Sequence, residues 1–297
     1  MRRLAPAALL GVLYVSGCNG PPGGTPPHWG PEDVPVRVTE DGFVYVPARI
    51  GEGPALELFF DSGAPESVID ARAVAACPSA GPEGHTHVLG RTIGVRPVRV
   101  PVLRIGGVEV RDLRVWAADL AREVDLLPAG VSGILGGELL LRFILALNFP
   151  GRRLMILEPS RFRPRAGVPS TPLTLRRRLP FVTGWINRRE VELLVDTGAN
   201  QSLAVTSETA LRIGIPIPSG GEAVPIRGIQ GTAAAIWSRA DEFRVGTLTS
   251  RAAPVLIVPA ESHGPGIDGV LGATSFLRLT VIFDVPGGRL FLLPEGQ

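Results

Sequence analysis

Leu58-Phe59-Phe60-Asp61-Ser62-Gly63-Ala64-Pro65-Glu66-Ser67 is followed, 135 residues later, by Leu193-Leu194-Val195-Asp196-Thr197-Gly198-Ala199-Asn200-Gln201-Ser202. In each stretch an apolar strand runs into Asp-(Ser/Thr)-Gly-Ala, and a hydroxyl residue returns at Ser67 or Ser202. A carboxylate at the end of a buried strand is costly unless it is hydrogen-bonded or engaged in chemistry. Two of them, in matching halves, point to one shared site.

The match extends outward. Gly133-Ile134-Leu135-Gly136 pairs with Gly269-Val270-Leu271-Gly272, and Asn148-Phe149-Pro150-Gly151 with Asp284-Val285-Pro286-Gly287, both at an offset of 136 (269 − 133, 284 − 148). Leu103-Arg104-Ile105-Gly106 resembles Phe243-Arg244-Val245-Gly246 at 140 (243 − 103), so loop insertions have been compensated. Motifs kept in one order at nearly constant spacing mark an internal duplication. The units span 34–160 and 173–297, joined by a linker over 161–172. Its prolines and arginines, with Arg161, Arg163 and Arg165 on a solvated strand edge, read as a connector. Of 297 residues, 37 are Gly and 29 Pro, with few aromatics, which favours short strands and tight turns. Strands are expected at Val36–Val38, at Phe43–Val46 after an Asp41-Gly42 turn, and at Leu56–Phe60. The predicted fold is all-β: two homologous β-barrel lobes with one short helix each, over 137–143 and 273–277, and a site between them. Each half is large enough to bury its own core.

The N-terminus has a basic start, Met1-Arg2-Arg3, and an apolar run from Leu4 to Val15, too short to span a bilayer and suited to a signal peptide over 1–17. Val15-Ser16-Gly17-Cys18 resembles a bacterial lipobox, which makes Cys18 the candidate lipidation site; an ordinary secretory signal with an incidental Cys is the alternative. Pro- and Gly-rich residues then form a tether up to about residue 33. The expected location is the cell envelope, with the membrane contacted through the lipid alone. All 30 basic residues are Arg, and removal of Arg2 and Arg3 leaves 28 against 28 acidic ones. That balance gives no support for a nucleic-acid partner. With Cys18 acylated, Cys77 has no disulfide partner and reads as a small buried hydrophobe.

These features resemble the retropepsin-like aspartic proteases, the lineage that includes pepsin, over nearly all of both halves from about Val34 onward. The ordered set in each half is a strand into Asp-(Ser/Thr)-Gly-Ala, a glycine-bearing flap hairpin, apolar-apolar-Gly, a short helix and a final hairpin. The resemblance implies two retropepsin/pepsin-like lobes with Asp61 and Asp196 as the catalytic pair. Two close carboxyls cannot both ionise, so they hold one proton and offer one base and one acid to an amide and a water. Ser62 and Thr197 would bond across to the opposite lobe, while Gly63 and Gly198 allow the sharp turns. Flaps are expected near Leu89 and Gly90 in the first lobe and near Gly228, Ile229 and Gly231 in the second. Neither has the Tyr that pepsin-like flaps carry. Ala64 and Ala199 replace a frequent hydroxyl, which removes a bond to the charged carboxylates and predicts a weakly acidic to neutral pH optimum. The implied partner is a peptide or protein substrate, cleaved by a monomer without cofactor or metal. A fold kept for peptide binding without turnover is the alternative, and it leaves the paired acids unexplained.

Remaining candidates are weaker. His85-Thr86-His87 with Cys77 lacks a fourth metal ligand at a familiar spacing. Asp268 has Ser132 as its counterpart in the first half and reads as local turn chemistry. Gly106-Gly107 and Gly220-Gly221 are turns rather than phosphate loops, since no Lys-Ser/Thr follows.

Overall fold

The computed structural model describes residues 33–88, 91–120, 127–219, 223–228, 231–263 and 266–294. The expected signal, tether and Cys18 therefore lie outside the described residues, as do Leu89, Gly90 and Ile229.

Each half is a strongly curved sheet. In the first, Val44–Ile50 pairs with Ala55–Phe60, and Ala55–Phe60 runs parallel to Val131–Leu135. Val68–Asp70 follows, then Val108–Ala118, Arg91–Ile105 and Gly84–Val88. A second pairing of Val44–Ile50 with Arg91–Ile105 closes the barrel. In the second half Leu179–Ile186, Arg189–Asp196, Gly269–Gly272, Leu203–Thr206, Leu248–Val258 and Gly231–Val245 repeat that order, closed by Leu179–Ile186 on Gly231–Val245. Closure removes the open strand edges that a half-barrel would expose. The alternating residues Val44, Val46 and Ala48, or Leu56, Leu58 and Phe60, point inward and are buried.

A third sheet joins the lobes. Its strands run Val34–Pro35, Arg153–Leu157, Ile144–Asn148, Leu279–Asp284, Arg289–Pro294 and Thr171–Arg176. At its centre Ile144–Asn148 pairs antiparallel with Leu279–Asp284, Leu147 opposite Val281. Leu145, Leu147, Val281 and Phe283 face the main core, whereas Ile144, Ala146 and Ile282 form a second cluster on the other face. Burial on both faces explains why these strands read as continuous apolar runs rather than alternating ones. Phe149 of the first half packs on Phe276 of the second, ring centroids 5.7 Å apart.

The short helices stand where expected, and two other details differ from expectation. The turns after each apolar-apolar-Gly are 3-10 helices, Gly137–Leu141 and Ala273–Phe276. One α-helix, Ser207–Ile213, lies where the sequence pattern suggests none; Thr206 caps its start, accepting the Thr209 N–H, and left-handed Gly214 ends it. Arg161, Arg163 and Arg165 are exposed as expected, but they lie on a segment that leaves the 3-10 turn Pro159–Arg161 and stays outside the sheets until Thr171–Arg176; its Phe162 and Val168 pack on the outer face of the joining sheet.

Candidate active site

Register delivers the two aspartates to one place. Phe60 lies beside Leu135 and Asp196 beside Gly272 in the parallel pairings, so each apolar-apolar-Gly strand backs one Asp loop. The Asp61 N–H donates to the Leu135 carbonyl at 3.0 Å, and the Gly137 N–H to the Ala64 carbonyl at 2.7 Å. Within the loops, the Gly63 and Ala64 N–H groups donate to Asp61 Oδ1 at 2.8 and 3.1 Å. The Gly198 N–H does the same for Asp196 Oδ1 at 2.8 Å.

The loops are then locked to each other. The Ser62 N–H donates to Thr197 Oγ1 and the Thr197 N–H to Ser62 Oγ, each at 3.0 Å. The Ser62 hydroxyl donates onward to the Val195 carbonyl at 2.8 Å, and the Thr197 hydroxyl to the Phe60 carbonyl at 3.0 Å. Both side chains are fully buried, where a lost partner is most costly. Gly63 sits against the Asp196 carboxyl and Gly198 against that of Asp61; a Cβ on either would lie 2.5 or 2.4 Å from the opposing Cγ. Here glycine is required by close approach.

The carboxyls of Asp61 and Asp196 lie side by side, each packed against the other loop's glycine, and they interact electrostatically. Each residue keeps some solvent contact at the cleft, but the protein around it is dense. Desolvation raises Asp61 well above the usual carboxylate range, with the nearby Asp196 charge adding to it. Asp196 is raised by desolvation too, opposed by N–H groups of Gly198, Ala199 and Gly63. The pair titrates as a unit, in two steps.

The sequence matches the family model described as aspartyl protease over residues 46–139 and again over 182–274. The chain belongs to the aspartyl protease family. Its fold is also similar to the crystal structure of aspartic proteinase from Irpex lacteus, with a TM-score of 0.56 and 12% identity over 88% of this chain and 96% of that one. No curated protein matches the sequence.

Around this aspartyl protease pair the remaining predicted positions fall as follows. In the flaps, Val88 pairs with Arg91 and Gly228 with Gly231. His85 and His87 lie on the first flap strand, Gly84–Val88. Cys77 is buried in the main core, its thiol pushed up by burial. Asp268 does more than shape a turn: it accepts from the Glu192 N–H, the Thr209 hydroxyl and Arg212, at 2.9, 3.1 and 2.5 Å, and so ties the α-helix to the Asp196 strand.

Sequence reasoning missed the supports of the Asp61 loop. Glu66 accepts from the Trp116 indole at 2.6 Å and from Arg178 at 2.8 Å, with Arg114 at 3.4 Å. Arg178 arrives from the other lobe, on a two-residue hairpin whose Arg177 and Arg178 have φ of 50° and 69°. Gly42, at φ 81°, makes the reciprocal crossing and packs on Ala273. The offset of 136 (178 − 42) relates these two tips and is the one signal the sequence offers. Ala64 of one Asp loop packs on an apolar cluster with Phe43, Ile93 and Trp116, and Ala199 of the other on a cluster with Val224, Ile226 and Ile267.

Proposed function

We propose that this chain is an aspartic endopeptidase that hydrolyses peptide bonds in a cleft between its two lobes. The observation that carries this reading is the placing of Asp61 and Asp196 side by side, their loops held by reciprocal Ser62 and Thr197 bonds. A water between the carboxyls gives a proton to Asp196 and attacks the peptide carbonyl, while Asp61 gives its proton to the carbonyl oxygen. The tetrahedral diol then collapses: the C–N bond breaks, the leaving nitrogen takes the proton from Asp196, and a hydroxyl proton returns to Asp61. Acid and base are both regenerated. One chain supplies both aspartates, so a monomer suffices for this chemistry.

The test is cleavage of a peptide library by the protein lacking residues 1–18, scanned over pH. Cleavage is expected, with a maximum between weakly acidic and neutral pH, because desolvation raises both carboxyls and Ala64 and Ala199 offer no hydroxyl to hold their charged forms. A maximum below about pH 3 would contradict that argument.

The proposal includes the location. The basic start, the apolar run and Val15-Ser16-Gly17-Cys18 support export and lipidation at Cys18, followed by a tether that holds the lobes off the envelope membrane. No described helix is long and apolar enough to cross a membrane. Incorporation of labelled fatty acid is expected in the full chain and lost in Cys18→Ser; equal labelling of both would remove the anchor from the reading.

A further inference from the structure

The Asp61 loop is closed by a buried acid that has no cationic partner among the described residues. Glu138, 7% exposed, sits in the 3-10 turn just after Gly136. Its Oε1 accepts the Ser67 N–H at 3.1 Å. Ser67 Oγ in turn accepts the Gly136 N–H at 2.9 Å. Oε2 has no hydrogen-bond partner and lies so close to Gly136 that a Cβ there would come within 2.7 Å of it. These contacts extend the ties from Leu135 to Asp61 and from Gly137 to Ala64 along the whole loop.

The second lobe does this differently. Thr274 stands where the first lobe has Glu138, and the Ser275 hydroxyl donates to the Ser202 carbonyl at 2.7 Å. Of the two Asp loops, the one that holds Asp61 is therefore clasped by an ionisable group and the other by a hydroxyl.

We propose that Glu138 is a positioning residue for Asp61: as a neutral acid it stays buried against the 61–67 loop with Oε2 unpartnered, and its ionisation, which places an uncompensated charge on that atom, draws the carboxyl toward water, opens the clasp and lowers cleavage. The proposal rests on the peptidase reading given above. Desolvation pushes this carboxyl up to about 7, opposed by its bonds to Ser67 and its own N–H. The charged groups beside it are Glu66, whose charge raises it further, and Arg178 and Arg114, which are engaged with Glu66. Because the folded-state value lies above the ordinary one, the proton is held preferentially in the folded chain. The associated stability is full below the ordinary carboxylate range and is lost as pH rises through about 7.

Glu138→Gln keeps the acceptor for the Ser67 N–H and cannot ionise. With this variant the alkaline limb of kcat/KM is expected to move up by about one pH unit or more, with KM little changed. A purely structural role would lower activity at every pH and leave the limb in place, which would overturn the proposal. A second readout needs no cleavage. In an Asp61→Asn background, which removes the titration of the aspartate pair, thermal stability and the fluorescence of Trp116, which is bonded to Glu66 on this loop, should show a step near pH 7 that is absent once Glu138→Gln is added. That step, together with a parent chain that cuts no peptide, removes the peptidase reading alone and leaves the clasp standing. A step that survives the addition of Glu138→Gln removes the clasp.

Discussion

Asp61→Asn and Asp196→Asn are each expected to lower peptide cleavage by about 10³- to 10⁴-fold, the scale of losing a positioned acid or base. Asparagine is isosteric and neutral, so the grip between Ser62 and Thr197 remains and the loss reports the chemistry. Stability should move the other way. Both carboxyls are raised in the folded chain, so their contribution to stability is present at low pH and falls as pH rises through the folded values. An Asp61→Asn chain escapes that fall and should melt at higher temperature than the parent at neutral pH, with the gap closing in acid. Cleavage retained in either variant would exclude a shared pair.

Gly198→Ala should be nearly as damaging, without touching a titrating group. Its Cβ would lie 2.4 Å from Asp61 Cγ and 2.5 Å from Oδ1. Carbon atoms pack at about 3.5–4.0 Å, so the Asp61 carboxyl or the loop must give way by about an ångström. A displacement of that size at reacting groups costs about 10²-fold in rate, and overpacking costs a further 1–3 kcal/mol of stability or so. Gly63→Ala repeats the test against Asp196, 2.5 Å away. Gly107→Ala, where an added Cβ meets nothing within 4 Å, is the control and should behave as the parent. Parent-like cleavage by Gly198→Ala would mean that the two carboxyls do not need their present spacing.

The duplicated architecture and its central pair are legible in the sequence because each depends on short-range pattern. Leu58–Asp61 and Leu193–Asp196 read as strand ends from their apolar runs, and the constant offset is enough to pair them. Glu138 is not legible. Its meaning depends on the burial of one side chain against Ser67, 71 residues away, which no local period encodes. Arg178 looks like one of three consecutive surface arginines; only the hairpin turn, with two residues at positive φ, carries it across to Glu66. The α-helix Ser207–Ile213 has visible caps in Thr206 and Gly214. It is only seven residues long, though, and the equivalent stretch of the first half forms irregular turns, so the repeat points away from it. Phe162 and Val168 are hidden by the prolines and arginines around them.

The crossing hairpin tips have one more consequence. A peptide has a direction, and a strictly symmetric enclosure could not tell its amino end from its carboxyl end. In this chain the loop after Asp61 carries Glu66 held by Arg114 and Arg178, whereas the loop after Asp196 carries Gln201, and the opposite tip offers only Gly42. Covalent fusion of the halves allowed those two ends to diverge. On the peptidase reading proposed above, the cleft then has a head and a tail, by which the direction of a substrate strand could be read.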